Sequence, residues 1–108
     1  MMQFAFDNGI YKVARITGPS HNFLGIQLTE QEVDITTCPL PIKEGEIPRI
    51  GSDEVLSQVK TGLALVNQEA EAKYFVSLIQ FVPSDTKSPG VYEMLTVALI
   101  RRIREGWR

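Results

Sequence analysis

The sequence predicts an α+β domain in which two helices pack on a mainly antiparallel sheet of about five strands. Three observations support this prediction. Residues 4–37 contain several short segments in which apolar and polar side chains alternate or β-branched side chains are frequent. Two later segments repeat apolar residues at helical spacing, and one strongly apolar segment lies between them. The predicted order is β-β-β-β-α-β-α, and residues 1–108 are expected to form a single domain.

The first four predicted strands lie in the N-terminal part of the chain. Residues 4–17 predict a hairpin, because the DNG corner at residues 7–9 supplies side chains that tolerate positive φ between two apolar arms. Residues 18–22, GPSHN, predict a loop. Residues 23–29 and 32–37 both alternate apolar and polar side chains, so each predicts a strand, and the second pattern is the weaker.

A long loop and a helix are predicted next. Residues 38–50 contain three prolines and one glycine, which exclude a regular helix and predict an extended surface loop. Residues 53–71 predict a helix with Ser52 as its N-cap, although Gly62 costs about 1 kcal/mol relative to Ala. The alternative ends this helix at Gly62 and makes residues 63–68 a strand. The single helix is preferred because its continuation is rich in Ala and Glu, which disfavour strands.

A strand and a helix complete the prediction. Residues 74–82, YFVSLIQFV, are apolar on both faces, which is typical of a strand that is central or covered by a helix. The last helix is predicted over residues 89–104, with Ser88 as its N-cap and Pro89 as its first residue. Gly106 is expected to end it.

Composition indicates an ordinary globular protein of the cytoplasm. Hydrophobic residues make up 44% of the chain and charged residues 22%, which argues against a disordered protein. Cys38 is the only cysteine, so no internal disulfide is expected and a reducing compartment fits. The N-terminus lacks the pattern of a signal peptide, and no apolar stretch reaches the ~18 residues of a membrane span.

The loop at residues 83–90 has two interpretations. Phosphate-binding loops usually place several glycines before a helix N-terminus, but this loop has one glycine and it follows the lysine. Helix capping and a turn closed by Ser84 and Asp85 therefore explain the composition. The alternative is an anion-binding site formed by Thr86, Lys87 and Ser88.

Few residues in the chain suggest catalysis or metal binding. His21 is the only histidine, so a structural zinc site, which needs about four His and Cys ligands, is not expected. A nucleophilic arrangement of Cys38, His21 and Asp85 is a hypothesis that requires these groups to lie within hydrogen-bond reach. No local motif surrounds Cys38. The sequence therefore predicts no catalytic residue, metal or cofactor, and the chain is not expected to be an enzyme.

The distribution of charge favours a protein that binds a basic partner. Residues 30–54 contain seven acids and two bases, whereas the last eight residues, RRIREGWR, hold four arginines. Arginines at a helix C-terminus complement the helix dipole, so nucleic-acid binding is not predicted. An acidic surface attracts a basic protein over long range, and apolar anchors hold the complex. The predicted partner-binding residues are Glu30, Glu32, Asp34, Glu44 and Glu46, of which the first three share one face if their segment is a strand.

In size, acidity and predicted fold, the chain resembles the immunity proteins that bacteria make against contact-dependent growth-inhibition toxins. Residues 62–95, GLALVNQEAEAKYFVSLIQFVPSDTKSPGVYEML, also resemble small bacterial proteins. The resemblance implies a 1:1 complex that blocks a basic, nuclease-type toxin domain, and it carries over no functional residue. Two further hypotheses are an enzyme or ligand-binding protein that uses residues 84–90 with His21 and Cys38, and a homo-oligomeric structural subunit.

Overall fold

The computed structural model describes residues 1–70 and 73–106, and the elements follow the predicted order. The strands are β1 (Met2–Asp7), β2 (Ile10–Thr17), β3 (Ser20–Thr29), β4 (Thr36–Pro39) and β5 (Phe75–Phe81), and the helices are α1 (Ser52–Ala70) and α2 (Val91–Arg104). The predicted α+β class is therefore confirmed. Neither α1 nor α2, the helices of the described chain, has the length and apolar character that crossing a membrane requires.

The five strands form one sheet in the order β1-β2-β3-β5-β4. Neighbouring strands are antiparallel except for β4 and β5, which run parallel. A parallel pair cannot be joined by a tight hairpin, so the chain needs a crossover, and α1 lies between β4 and β5 in the sequence. β5 pairs with a strand on each side, as its apolar sequence predicts.

Two tight turns join the first three strands. Asn8 and Gly9 have φ values of 51° and 79°, which confirms the predicted corner between β1 and β2. Thr17 pairs with Ser20, so the second turn contains only Gly18, with φ of 57°, and the proline that follows it. The predicted loop at residues 18–22 is therefore too long, because three of its residues extend β3.

The fourth strand lies farther along the chain than the sequence predicts. Residues 32–37 were expected to form it, but pairing runs from Thr36 opposite Leu78 to Pro39 opposite Phe81. Residues 30–35 form no strand, so the expectation that the acids of this segment share a strand face is wrong. Proline is tolerated at the end of an edge strand, because the missing N–H has no neighbour to bond.

Helix α1 is a single helix, and the alternative strand at residues 63–68 is therefore wrong. It begins at Ser52, which is helical rather than the cap, since the Val55 N–H donates to the Gly51 carbonyl at 3.2 Å. Glu71, the predicted last residue, lies outside the described residues.

Helix α2 starts two residues later than predicted. Its N-cap is Gly90, with φ of 71°, and no side chain caps the helix. The assignments of Ser88 as cap and Pro89 as first helical residue are wrong, because both lie in the turn before the helix, where the Ser88 carbonyl accepts from the Val91 N–H at 3.3 Å. The helix ends near Gly106 as predicted, with φ of 95° and an N–H that donates to the Ile103 carbonyl.

The hydrophobic core lies between one face of the sheet and the two helices. The register places Val13, Leu24 and Phe81 side by side on this face, and all three are almost fully buried. The helices contribute side chains that are also fully buried: Val55, Val59, Val66, Leu95, Leu99 and Ile100. Burying each large side chain of this kind contributes about 1.5–3 kcal/mol to the free energy of folding. The apolar layer between the sheet and the helices is therefore the main source of stability.

The two helices run parallel and touch closely at Gly62. A Cβ atom on this glycine would lie 2.7 Å from the Glu93 carbonyl oxygen and 2.9 Å from the Thr96 Cβ. The residue that weakens α1 as an isolated helix therefore permits its contact with α2. Farther along, Glu69 accepts hydrogen bonds from Arg101 at 2.7 Å and Arg104 at 3.0 Å, and these bonds lower the pKa of Glu69 to about 2.

Gly62→Ala is expected to lower the free energy of unfolding by about 1–3 kcal/mol, because overpacking against α2 outweighs the gain of about 1 kcal/mol in helix propensity. Urea denaturation followed by circular dichroism measures this change. The control is Gln68→Ala at an exposed position of the same helix, where the change should stay below about 0.5 kcal/mol. A Gly62→Ala protein as stable as the wild type would contradict the close helix contact.

Candidate functional site

The structure separates the predicted partner-binding carboxylates into two exposed groups. Glu30, Glu32 and Asp34 precede β4, whereas Glu44 and Glu46 follow it. β4 has four residues, a length of about 13 Å. Glu32 and Asp34 lie near the start of β5, and Glu46 lies near its end, so the two groups occupy opposite ends of the sheet.

Glu32 and Asp34 of the first group border an open cleft of about 790 Å³ between α1 and β5. We call it the α1–β5 cleft. It has three walls: residues 32–35, residues 74–76 at the start of β5, and one stripe of α1. The stripe consists of Lys60, Leu63, Ala64 and Asn67. Its spacing of three and four residues places these side chains on one side of the helix, and the volume is typical of ligand-binding sites.

The α1–β5 cleft combines apolar and polar surface in nearly equal parts. Val33, Leu63 and Phe75 supply apolar surface, and Glu32 and Asp34 supply two carboxylates. Lys60 of the helical stripe is the one cation in the lining, so the charged side chains of the cleft sum to one net negative charge. Val33 is 45% exposed, which leaves apolar surface open to a partner.

A side-chain amide fixes the wall formed by β5. The Tyr74 N–H donates to Asn67 Oδ1 at 2.7 Å, and Asn67 Nδ2 donates to the Tyr74 carbonyl at 3.1 Å. Asn67 therefore forms hydrogen bonds with both the N–H and the carbonyl of Tyr74, as the backbone of a neighbouring strand would. The sequence contains no local signal for this contact, because Asn67 lies in α1 whereas Tyr74 lies just before β5.

Glu46 of the second acidic group has a structural role in its own loop. Glu46 Oε1 accepts from the Lys43 N–H at 2.7 Å, which closes a turn in the loop. The N–H groups of Arg49 and Ile50 donate to the Pro83 carbonyl at 2.7 Å and 3.1 Å, which ties this loop to the end of β5. A smaller cavity of about 270 Å³ lies there, lined by Gly45, Glu46, Ile47, Arg49 and Ser84.

The three residues of the predicted anion site are engaged within the protein. Thr86 and His21 exchange two hydrogen bonds of 3.0 Å, one through the Thr86 N–H and one through its Oγ1. Lys87 Nζ lies 3.8 Å from a carboxylate oxygen of Glu54. The Ser88 carbonyl accepts from the first N–H of α2. These contacts connect the loop before α2 to β3, α1 and the start of α2, and the anion site remains a prediction.

Asp85 is buried and links this loop to β3. Its Oδ1 lies 3.2 Å from His21 Nδ1, and its Oδ2 accepts from the Phe23 N–H at 2.7 Å. The expectation that its side chain bonds its own turn is therefore wrong, since only its N–H closes the turn, by donating to the Val82 carbonyl. Burial raises the pKa of Asp85, and the hydrogen bonds from His21 and Phe23 oppose this rise.

Asn22 is a second buried link between β3 and the loop. Its Nδ2 donates to the Thr86 carbonyl at 2.7 Å and to the Tyr92 hydroxyl at 3.3 Å. Burial raises the pKa of Tyr92 to about 12, so the phenol remains neutral at physiological pH. The sequence predicts that Asn22 lies in a loop. Its burial follows only from the structure, in which β3 extends back to Ser20 and includes Asn22.

The structure brings His21 and Asp85 together but not Cys38. Cys38 lies opposite Gln80, which in turn pairs with Gly25, four residues from His21 along β3. The histidine and the cysteine are thus separated by two strand spacings, about 10 Å, and by about 13 Å along the strand. This exceeds hydrogen-bond reach. Among the described residues, no group of three or more His, Cys, Asp or Glu side chains is placed to hold a metal ion.

Comparison with known proteins assigns the chain to no family. No protein-family model, curated protein or solved structure matches it significantly. The α1–β5 cleft is the candidate site because it is the larger of the two cavities described and joins two predicted binding residues, Glu32 and Asp34, to exposed apolar surface.

Asp85→Asn is expected to alter the pH dependence of stability. Because the folded-state pKa of Asp85 is raised, the native protein binds this proton more tightly than the unfolded chain does. The stability that the protonated Asp85 contributes is fully present below its ordinary pKa of 3.8. This contribution is lost as the pH rises through the raised pKa of the folded state. The stability of the wild type relative to the Asn variant should therefore fall as the pH increases from about 3.

Urea unfolding of both proteins across the acidic and neutral range measures this difference. The remaining carboxyl groups are common to both proteins, so their contribution to the pH dependence of stability cancels in the comparison. A difference that is constant, or that grows with pH, would contradict the burial of the Asp85 carboxyl.

Proposed function

We propose that this protein neutralises a basic protein, and that the target is a nuclease-type toxin domain. The observation that carries the proposal is the α1–β5 cleft, where Glu32 and Asp34 border exposed apolar surface. The two kinds of surface have different roles in such a complex. The carboxylates accelerate encounter with a cationic surface, and the apolar lining retains the partner after docking.

The chemistry of nucleases explains why an acidic protein blocks them. A nuclease holds the phosphates of its substrate with lysine and arginine. A protein that presents carboxylates at the same place competes for those cations and excludes the nucleic acid. The small size and acidic pI of about 5.4 also agree with the resemblance to immunity proteins.

The position of the two acidic groups makes the proposal specific. Glu32 and Asp34 lie at the α1–β5 cleft, and Glu30 lies just before them in the chain. Glu44 and Glu46 lie at the far end of β5, and Glu46 is bonded within its own loop. The first group is therefore proposed as the contact surface, and the second contributes only to the long-range field.

The double substitution Glu32→Lys/Asp34→Lys is expected to abolish protection against the toxin. The resemblance to immunity proteins implies a toxin encoded by the gene upstream, so the test expresses the C-terminal domain of that gene's product, alone and together with this protein, and follows growth. The toxin domain alone should stop growth, and the wild-type protein should restore it. The Lys variants should slow association of the purified pair by about tenfold or more and reduce its salt dependence, because charge steering is reversed.

Glu44→Lys/Glu46→Lys is the matched control, because it makes the same change in net charge at the other end of the sheet. It should preserve protection and change the association rate by less than about threefold, the effect of a remote, screened charge. The proposal is wrong if the adjacent domain is harmless. It is also wrong if both double variants protect as well as the wild type.

A further inference from the structure

Strand β1 forms one edge of the sheet and has a neighbour on one side only. The strand order is β1-β2-β3-β5-β4, so β2 is the one strand beside β1. Among the described elements, β2 is also the only one in extensive contact with β1, whereas α1 contacts β4 at the other edge. Four of the six residues of β1 are exposed. The outer side of β1 is therefore open to another chain.

The hydrogen-bond pattern shows which backbone groups of β1 point outward. Met1 and Ile16 exchange two bonds, because the Ile16 N–H donates to the Met1 carbonyl at 2.9 Å and the Met1 nitrogen donates to the Ile16 carbonyl at 3.1 Å. Hydrogen-bonded and non-hydrogen-bonded pairs alternate along antiparallel strands, and the register of β1 with β2 is regular. The N–H and C=O groups of Met2 and Phe6 therefore point away from β2.

β1 lacks the features that keep edge strands from pairing with other chains. Natural proteins protect such edges with short strands, prolines, bulges or charged side chains. β4 has two of these features, since it has four residues and ends at Pro39. β1 has six residues, MQFAFD, without a proline or a bulge, and its one charged residue, Asp7, is the last of the strand. β1 is thus suited to pair with a further strand.

We propose that β1 pairs antiparallel with β1 of a second copy of this chain, which joins the two sheets into one of ten strands. A two-fold axis beside Phe4 places Met2 of each copy opposite Phe6 of the other, so the outward groups of both residues form hydrogen bonds across the seam. The paired residues 2–6 span about 17 Å. The inference is independent of the proposed function, because the α1–β5 cleft lies beyond β3 in the sheet.

The side chains of β1 are complementary to those of a second copy. Phe6 is 51% exposed, and in this register its ring meets the apolar side chain of Met2 from the other copy. On the opposite face of the sheet, Gln3 lies opposite Ala5, and both are uncharged and exposed. The two Asp7 carboxylates lie at opposite ends of the seam. No like charges therefore face each other, which would destabilise the pair.

Sedimentation equilibrium of the purified protein tests the association. The average mass should rise toward twice the mass of one chain as the concentration increases to about 1 mM, at which even a weak association is populated. A mass that remains that of one chain at this concentration overturns the proposal.

Two double variants test the register of the seam. Gln3→Glu/Ala5→Glu places glutamate opposite glutamate twice, whereas Gln3→Lys/Ala5→Glu places lysine opposite glutamate. Both variants change exposed positions, and both carry the same residue beside Lys12, so the difference between them reports on the seam. The first variant should dimerise at least about tenfold more weakly than the second. Equal dissociation constants would overturn the proposal.

A disulfide locates the seam in a Cys38→Ser background. Gln3→Cys/Ala5→Cys brings thiols together at a non-hydrogen-bonded pair, where the Cα atoms are about 4.5 Å apart and a disulfide can form. Mild oxidation should therefore link the two copies, as measured by non-reducing electrophoresis. Gln3→Cys alone is the control, because the two copies of residue 3 are about 8 Å apart, beyond disulfide range. A double variant that links no faster than the single one contradicts the antiparallel pairing.

Discussion

The parallel pairing of β4 with β5 is the constraint on which the candidate site depends. Parallel strands require a crossover, and the chain provides it with a long loop and α1. The pairing begins only at Thr36, so the preceding acidic residues leave the sheet and face α1 across a cleft. One topological feature thus borders the cleft, positions two carboxylates on its rim and leaves the start of β5 paired with β3 but not with β4.

The other end of the sheet is stabilised by buried polar contacts with the loop before α2. Asp85 and Thr86 bond to β3, and Asn22 reaches from β3 to the loop and to Tyr92. These contacts fix where α2 starts, so the helix reaches α1 at the position of Gly62. The loop at residues 83–90 therefore connects β3 to α2, and the half-exposed ring of His21 contributes to this connection through Asp85.

The sequence predicts correctly the features that depend on neighbouring residues. It does not predict the features that depend on contacts between residues far apart in the chain. The turn at Asn8 and Gly9 follows from two neighbouring residues, and the continuity of α1 follows from its apolar spacing. The site itself depends on pairing between residues about 40 positions apart, such as Thr36 and Leu78, which no local pattern encodes. The sequence predicts the acids at residues 30–34 as partner-binding residues. Their alternation with other residues also predicts a strand, which does not form, because exposed segments and half-buried strands can share that pattern.

The bond network around Glu69 bears on whether the protein recognises itself. Arg101 and Arg104 share this carboxylate, and Arg102 lies over the Phe4 ring at 4.5 Å. A second copy that offered this end of α2 to the acidic rim would first have to give up those contacts. The guanidinium groups of Arg101, Arg102 and Arg104 are therefore already engaged within their own molecule, so pairing them with the acidic rim of a second copy would exchange existing contacts for new ones.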